Sequence, residues 1–129
     1  ETARLLAEVE SAARAPSGRE ALDAVIRAAV DHQVRRPRLA RLLDFEESRL
    51  PLDAETQAVR ARFAAILGGI LAREDMPRQE DLNVVTADVA AILRGMVDTA
   101  GERGETDQHA LTKRVRRAVL GYLTMPSAG

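Results

Sequence analysis

The sequence predicts an all-α fold, an antiparallel bundle of about six helices, on three observations. The 129 residues include 23 Ala and 18 Arg but only three aromatics, Phe45, Phe63 and Tyr122. Alanine and arginine are strong helix formers, whereas the aromatic and β-branched residues that favour strands are scarce. Apolar residues recur at helical spacing, and no segment alternates as a strand would. Polar and Pro- or Gly-containing breaks then divide the chain into stretches of helix length. A composition of 46% apolar and 30% charged residues is globular. The length suits one domain, taken as residues 1–129, and is short for two.

The first predicted helix, about residues 2–14, carries Leu5, Val9, Ala12 and Ala13 on one stripe and stops at Ala15-Pro16-Ser17-Gly18. It opens at Glu1 without Met and without a cap, which predicts a helix that begins upstream and a missing N-terminal part. Ser17 and Glu20 form a capping box for the second helix, which runs to about Arg35. There Leu22, Val25, Ile26, Ala29 and Val30 share a face opposite Asp23, Arg27 and Asp31. Pro37 opens a third helix, since proline is tolerated in a first turn.

Asp53 is the expected N-cap of the fourth helix, about 53–74. Val59, Phe63, Ile66, Leu67 and Ile70 lie on one face of it, and Ala58, Ala61, Ala65, Gly68, Gly69 and Ala72 cover much of the other. A helix apolar on nearly all sides is expected at the centre of the bundle. The fifth helix, about 81–100, has a broad apolar face of Leu82, Val85, Val89, Ile92, Leu93, Met96, Val97 and Ala100. Gly101 and Gly104 are its C-cap candidates. In the sixth, about 106–123, Leu111, Val115, Ala118, Val119 and Tyr122 form the stripe opposite Lys113, Arg116 and Arg117.

Several function classes are disfavoured. Nineteen basic against twenty acidic side chains leave a net charge of −1, which offers no bulk attraction for nucleic acid. The basic clusters Arg35-Arg36-Pro37-Arg38 with Arg41, and Lys113-Arg114-Arg116-Arg117, lack interleaved aromatics and read as solvated, salt-bridged faces. With no cysteine there is no disulfide framework or thiol nucleophile. Neither a bilayer-length apolar run nor a leader pattern is present, so a cytoplasmic protein without a membrane partner is expected. Gly68-Gly69 falls inside a helix and is no phosphate loop, and none of the four serines has a base nearby in sequence. His32 and His109 have no partner at metal spacing. A nonenzymatic protein without cofactor or metal follows; a third option, a small helical-bundle enzyme, would require a polar cavity with several convergent acids.

Two blocks carry a resemblance. Ser17-Gly18-Arg19-Glu20-Ala21-Leu22 with Arg36-Pro37-Arg38-Leu39-Ala40-Arg41-Leu42-Leu43-Asp44-Phe45-Glu46-Glu47 form the first. The second runs from Ala90-Ala91-Ile92-Leu93-Arg94-Gly95-Met96 to Arg114-Val115-Arg116-Arg117-Ala118-Val119-Leu120-Gly121-Tyr122-Leu123. Together they resemble the regulatory domain of TetR-type transcriptional repressors. The resemblance implies an all-helical effector-binding and dimerisation domain that follows an N-terminal helix-turn-helix unit. That unit is absent from this chain, so operator DNA would be a partner only through the missing part. It also implies a homodimer built from the last two helices, and a small, mainly apolar effector among the first four.

Candidate effector contacts on those faces are Leu42, Phe45, Glu46, Phe63, Ile66, Leu67 and Ile70, with His32 as an outlying member. Glu46 shares a stripe with Leu39, Leu42, Leu43 and Leu50, where an ionised carboxylate needs a partner. It is either a polar anchor in the pocket or one half of a salt bridge with Arg41, Arg49 or an arginine elsewhere. Candidate dimer contacts are Val89, Ile92, Leu93, Met96, Val115, Val119 and Tyr122. A four-helix interface would use the breadth of those stripes, and a close contact at Gly95 would offset the roughly 1 kcal/mol glycine costs in a helix. The alternative is that both helices only close the monomer's own core. At the level of function, the alternative is a helical protein-interaction module without a small-molecule ligand.

Overall fold

The structure, a computed structural model, describes residues 2–35 and 54–126. These form five packed α-helices, with no strand among the described residues. They are α1 (Thr2–Ala12), α2 (Gly18–Arg35), α3 (Ala54–Leu71), α4 (Leu82–Glu102) and α5 (Gln108–Thr124). The predicted third helix and the proposed Asp53 cap fall on residues 36–53, outside the described ones.

Each start or stop has a local cause. The Glu20 N–H donates to Ser17 Oγ at 3.1 Å, and the Ser17 hydroxyl donates to Glu20 Oε2 at 3.1 Å, so the box fastens α2's first turn. Asp81 and Asp107 cap α4 and α5 by accepting the N–H of Val84 and Ala110. Gly104, at φ 71°, ends α4 in a left-handed turn. There Gly104 N–H bonds Gly101 O at 3.0 Å and Glu105 N–H bonds Ala100 O at 2.9 Å. This paired pattern satisfies carbonyls at the helix end. Gly101 is not the terminator; it is buried inside the helix.

The core runs through all five helices, from Val9 through Val25, Ile26 and Leu67 to Val89, Val115 and Val119, each at most 1% exposed. Burying one such Val, Leu or Ile side chain contributes about 1.5–3 kcal/mol. α2 packs against each of the other four helices and is the hub. The expectation that helix 54–71 occupies the centre is therefore corrected. Only Leu67, Ile70 and Leu71 of α3 are buried, while Ala58, Ala61, Ala65 and Gly69, with Ala72 just beyond its end, are exposed. Alanine is the best helix former at any exposure and gains little from burial, so an alanine face carries no information about what covers it. Gly68 alone meets a neighbour, with Thr86 within 3.5 Å of where its Cβ would be.

The α1–α2 and α3–α4 connections are clasped together. Arg73 donates to the carbonyls of Ala15 at 2.9 Å and Pro16 at 2.8 Å. Asp75 accepts the Gly18 N–H at 2.8 Å, adding a carboxylate to the positive end of α2. Met76 closes over Gly18, where a Cβ would lie 2.5 Å from its Cγ. α2 therefore begins where α3 ends, and its last turn lies at the end of the bundle where α3 begins.

Candidate functional site

Five of the eight candidate effector contacts are described; Leu42, Phe45 and Glu46 lie outside the described residues. On α3, Leu67 and Ile70 are buried in the core, and Phe63 and Ile66 are half-buried against it. These four make one continuous inward face, as their spacing predicts. His32, near the end of α2, is half-buried. The described candidates are thus distributed over the inner face of α3 and the last turn of α2.

A residue missed from sequence is Gln33. It is 8% exposed. The available signal was its register, because Leu22, Ile26, Val30 and Gln33 follow one another at steps of three and four. The other buried polar side chain, Thr86, donates to Leu82 O at 2.7 Å.

Open grooves mark the described surface, among them the following three. One of about 800 Å³ runs between α1, α2 and α5 and mixes Glu8 and Asp31 with Arg27, His109, Lys113 and Arg116. Another, of about 410 Å³, lies between α1 and α3 over Ala13, Ala65, Ile66 and Gly69. The third, of about 190 Å³, separates α2 from α5 beside Leu22, Ile26 and Leu120. The basic side chains are largely paired: Asp23 takes both Arg27 and Arg116, and Asp31 takes Arg35 at 3.1 Å. Among the described residues, no group of three or more His, Asp or Glu could hold a metal, and no helix is long and apolar enough to cross a membrane.

The candidate dimer contacts divide into two sets. Val89, Leu93, Val115 and Val119 are at most 4% exposed and fill the chain's own core, leaving no surface for a partner. Ile92, Met96 and Tyr122 are half-buried at the margin. Outside them lie exposed Val84, Ala91, Gly95, Gly121 and Met125. A Cβ at Gly95 or Gly121 would meet nothing within 4 Å, so neither glycine has a steric cause within the chain.

Both ends of this α4–α5 hairpin are fastened. At the turn, Arg114 grips Glu105 with two bonds of 2.8 Å and Arg103 adds one of 3.0 Å. These guanidinium bonds hold the Glu105 carboxyl down at about 2. At the open end the Tyr122 hydroxyl donates to Asp88, and that bond raises the phenol above its ordinary range.

The sequence over residues 19–123 matches the family described as "Tetracyclin repressor-like, C-terminal domain". No curated protein and no solved structure matched. The matched segment takes in nearly all of α2 and the whole of α3 and α4, and it ends in the last turn of α5. With that match spanning well over half of its length, the chain belongs to the TetR-like C-terminal regulatory domains, a non-enzymatic family.

Proposed function

We propose that this domain is the effector-binding and dimerising half of a cytoplasmic transcriptional repressor whose helix-turn-helix lies in another part of the protein. The observation that carries the reading is the family match over residues 19–123. The effector is a small, mainly apolar molecule held against the inner face of α3 and the end of α2. A second copy packs on the outer face of α4 and α5, where Val84 is 53% and Met125 74% exposed. Ile92, Met96 and Tyr122 flank that face; Val89, Leu93, Val115 and Val119 support it from beneath.

Regulation is a population shift. The effector binds one arrangement of the bundle better, and α1 passes that preference to the DNA-binding heads. Half-sites on an operator are about 34–36 Å apart, so a small change in head separation weakens the fit. The test is distance measurement between spin labels on α1 of the full-length dimer, with and without effector. Operator release with no change in that distance contradicts the mechanism.

A second reading, an interaction module that takes a partner helix, is favoured by the exposed Val84 and Met125 on the outer face of α4 and α5. Thermal-shift screening of a small-molecule library separates the two, because a ligand specific to the native state raises its melting temperature. Stabilisation by a small molecule supports the regulator; stabilisation only by an added helical peptide supports the module.

A further inference from the structure

The groove of about 800 Å³ between α1, α2 and α5 has charges that do not balance. α2 supplies the small side chains of Ala24 and Ala28, and α1 and α5, which both pack against α2, supply the flanks. Two carboxylates line it, Glu8 and Asp31, and each faces an arginine one turn away on its own helix. Arg4 lies 3.7 Å from Glu8, and Arg35 lies 3.1 Å from Asp31. Arg27 and Arg116, by contrast, share the one carboxylate of Asp23, at 2.9 and 2.5 Å. Lys113, exposed on the same helix as Arg116, is a third cation on the groove. Among the described residues, three cationic side chains there stand against the single charge of Asp23, an excess of two. Beside them lie Ser11, Gln108 and Thr112, neutral groups that both donate and accept hydrogen bonds.

We infer that this groove binds a small polyhydroxyl phosphate monoester, a sugar phosphate in class. A phosphate monoester carries about −1.5 to −2 charge at pH 7 and three strong acceptor oxygens, which matches the excess on the groove. The volume falls within the roughly 300–1,000 Å³ typical of small-molecule sites and is more than a bare anion needs. Ser11, Gln108 and Thr112 are suited to the hydroxyls of the body. Among the described residues no Phe or Tyr lines the groove, so a flat base gains no stacking platform. A molecule bonded to Ser11 on one side and Lys113 on the other ties α1 to α5. The groove is apart from the inner face of α3, so the inference stands independently of the effector site proposed there.

The experiment follows the melting temperature of the chain with glucose 6-phosphate, glucose and inorganic phosphate. Wild type is compared with Lys113→Glu and with Arg60→Glu, which makes the same change of net charge at an exposed site on α3 outside the groove. Glucose 6-phosphate is expected to raise the wild-type melting temperature at low salt, glucose not to, and inorganic phosphate to do so less. The shift should shrink as salt is added, because the groove is open and its charges are screened. Lys113→Glu is expected to weaken glucose 6-phosphate binding roughly tenfold, since the reversal removes an attraction and adds a repulsion, and Arg60→Glu to leave it unchanged. Equal weakening by the two variants overturns the inference, because net charge alone then explains the binding. Equal shifts by glucose 6-phosphate and inorganic phosphate overturn the ligand class, since the sugar body then contributes nothing. No shift of wild type by glucose 6-phosphate at low salt overturns the site. None of these outcomes bears on an apolar effector at α3, which the library screen tests separately.

Discussion

Two outward faces of this bundle look alike in sequence and differ in kind. The outer face of α3 is built from Ala58, Ala61, Ala65 and Gly69, small groups with little area to lose to water. The outer face of α4–α5 combines exposed Val84 and Met125 with half-buried Ile92, Met96 and Tyr122, beside two glycines open to solvent. Burial energy scales with apolar area, so only the second face stands to gain much from a partner. A glycine in a helix interior costs about 1 kcal/mol relative to alanine, and close approach by another backbone is a physical return for that cost. α3's alanines, by contrast, are fully accounted for by helix propensity.

The contrast can be broken first on the inner side of α3. Leu67→Ala removes a side chain with no exposure and is expected to lower stability by about 2–5 kcal/mol, read from the urea midpoint. A loss below 1 kcal/mol would mean that α3 is not anchored by that face. The clasp at its end comes next. Gly18→Val drives a side chain into Met76 and Asp75, and a loss of about 1–3 kcal/mol is expected from overpacking. An unchanged midpoint would show the clasp to be loose.

The α4–α5 hairpin predicts a pH signature. Glu105 titrates at about 2 in the folded protein against an ordinary value of 4.5. Its contribution is present above pH 4.5 and is lost as pH falls towards 2. The stability difference between wild type and Glu105→Gln should therefore shrink across that window, and a constant difference would contradict the bonding at the turn. Tyr122 works in the opposite sense. Its raised value means that the bond to Asp88 supports folding below pH 10 and is lost as pH rises beyond it. The smallest effect is expected on the alanine face, where Ala61→Ser should change stability by no more than about 0.5 kcal/mol. A larger loss, measured by thermal melts, would mean that this face is covered.

Much of the architecture was legible because its signals are local. Ser17 with Glu20, and Gly104 after a long apolar stripe, mark helix ends through bonds within a few residues. The family was likewise visible in residue phrases of the second and third predicted helices and of the last two, and the nonenzymatic reading followed from the lack of a catalytic motif. Burial depends on what lies across the bundle, and there the reading failed in instructive ways. Alanine disguised the exposed face of α3 as a buried one. On α4 the broad apolar face merged two roles, with Val89 and Leu93 turned to the core and Ile92 and Met96 at its margin. The clasp of Arg73 and Asp75 has no local signal, because their partners Ala15, Pro16 and Gly18 are distant in sequence. Gln33 escaped because a polar residue in a helix's last turn normally faces water.

In the proposed dimer the chain pairs through the outer face of α4 and α5. Sedimentation equilibrium tests it on wild type, on a Gly95→Glu and Gly121→Glu double variant, and on Ala61→Glu. Twice the 14.0 kDa chain mass is expected for wild type and for Ala61→Glu, and the single mass for the double variant with its helical content retained. A monomeric wild type at all protein concentrations, or dissociation by Ala61→Glu alone, would contradict it.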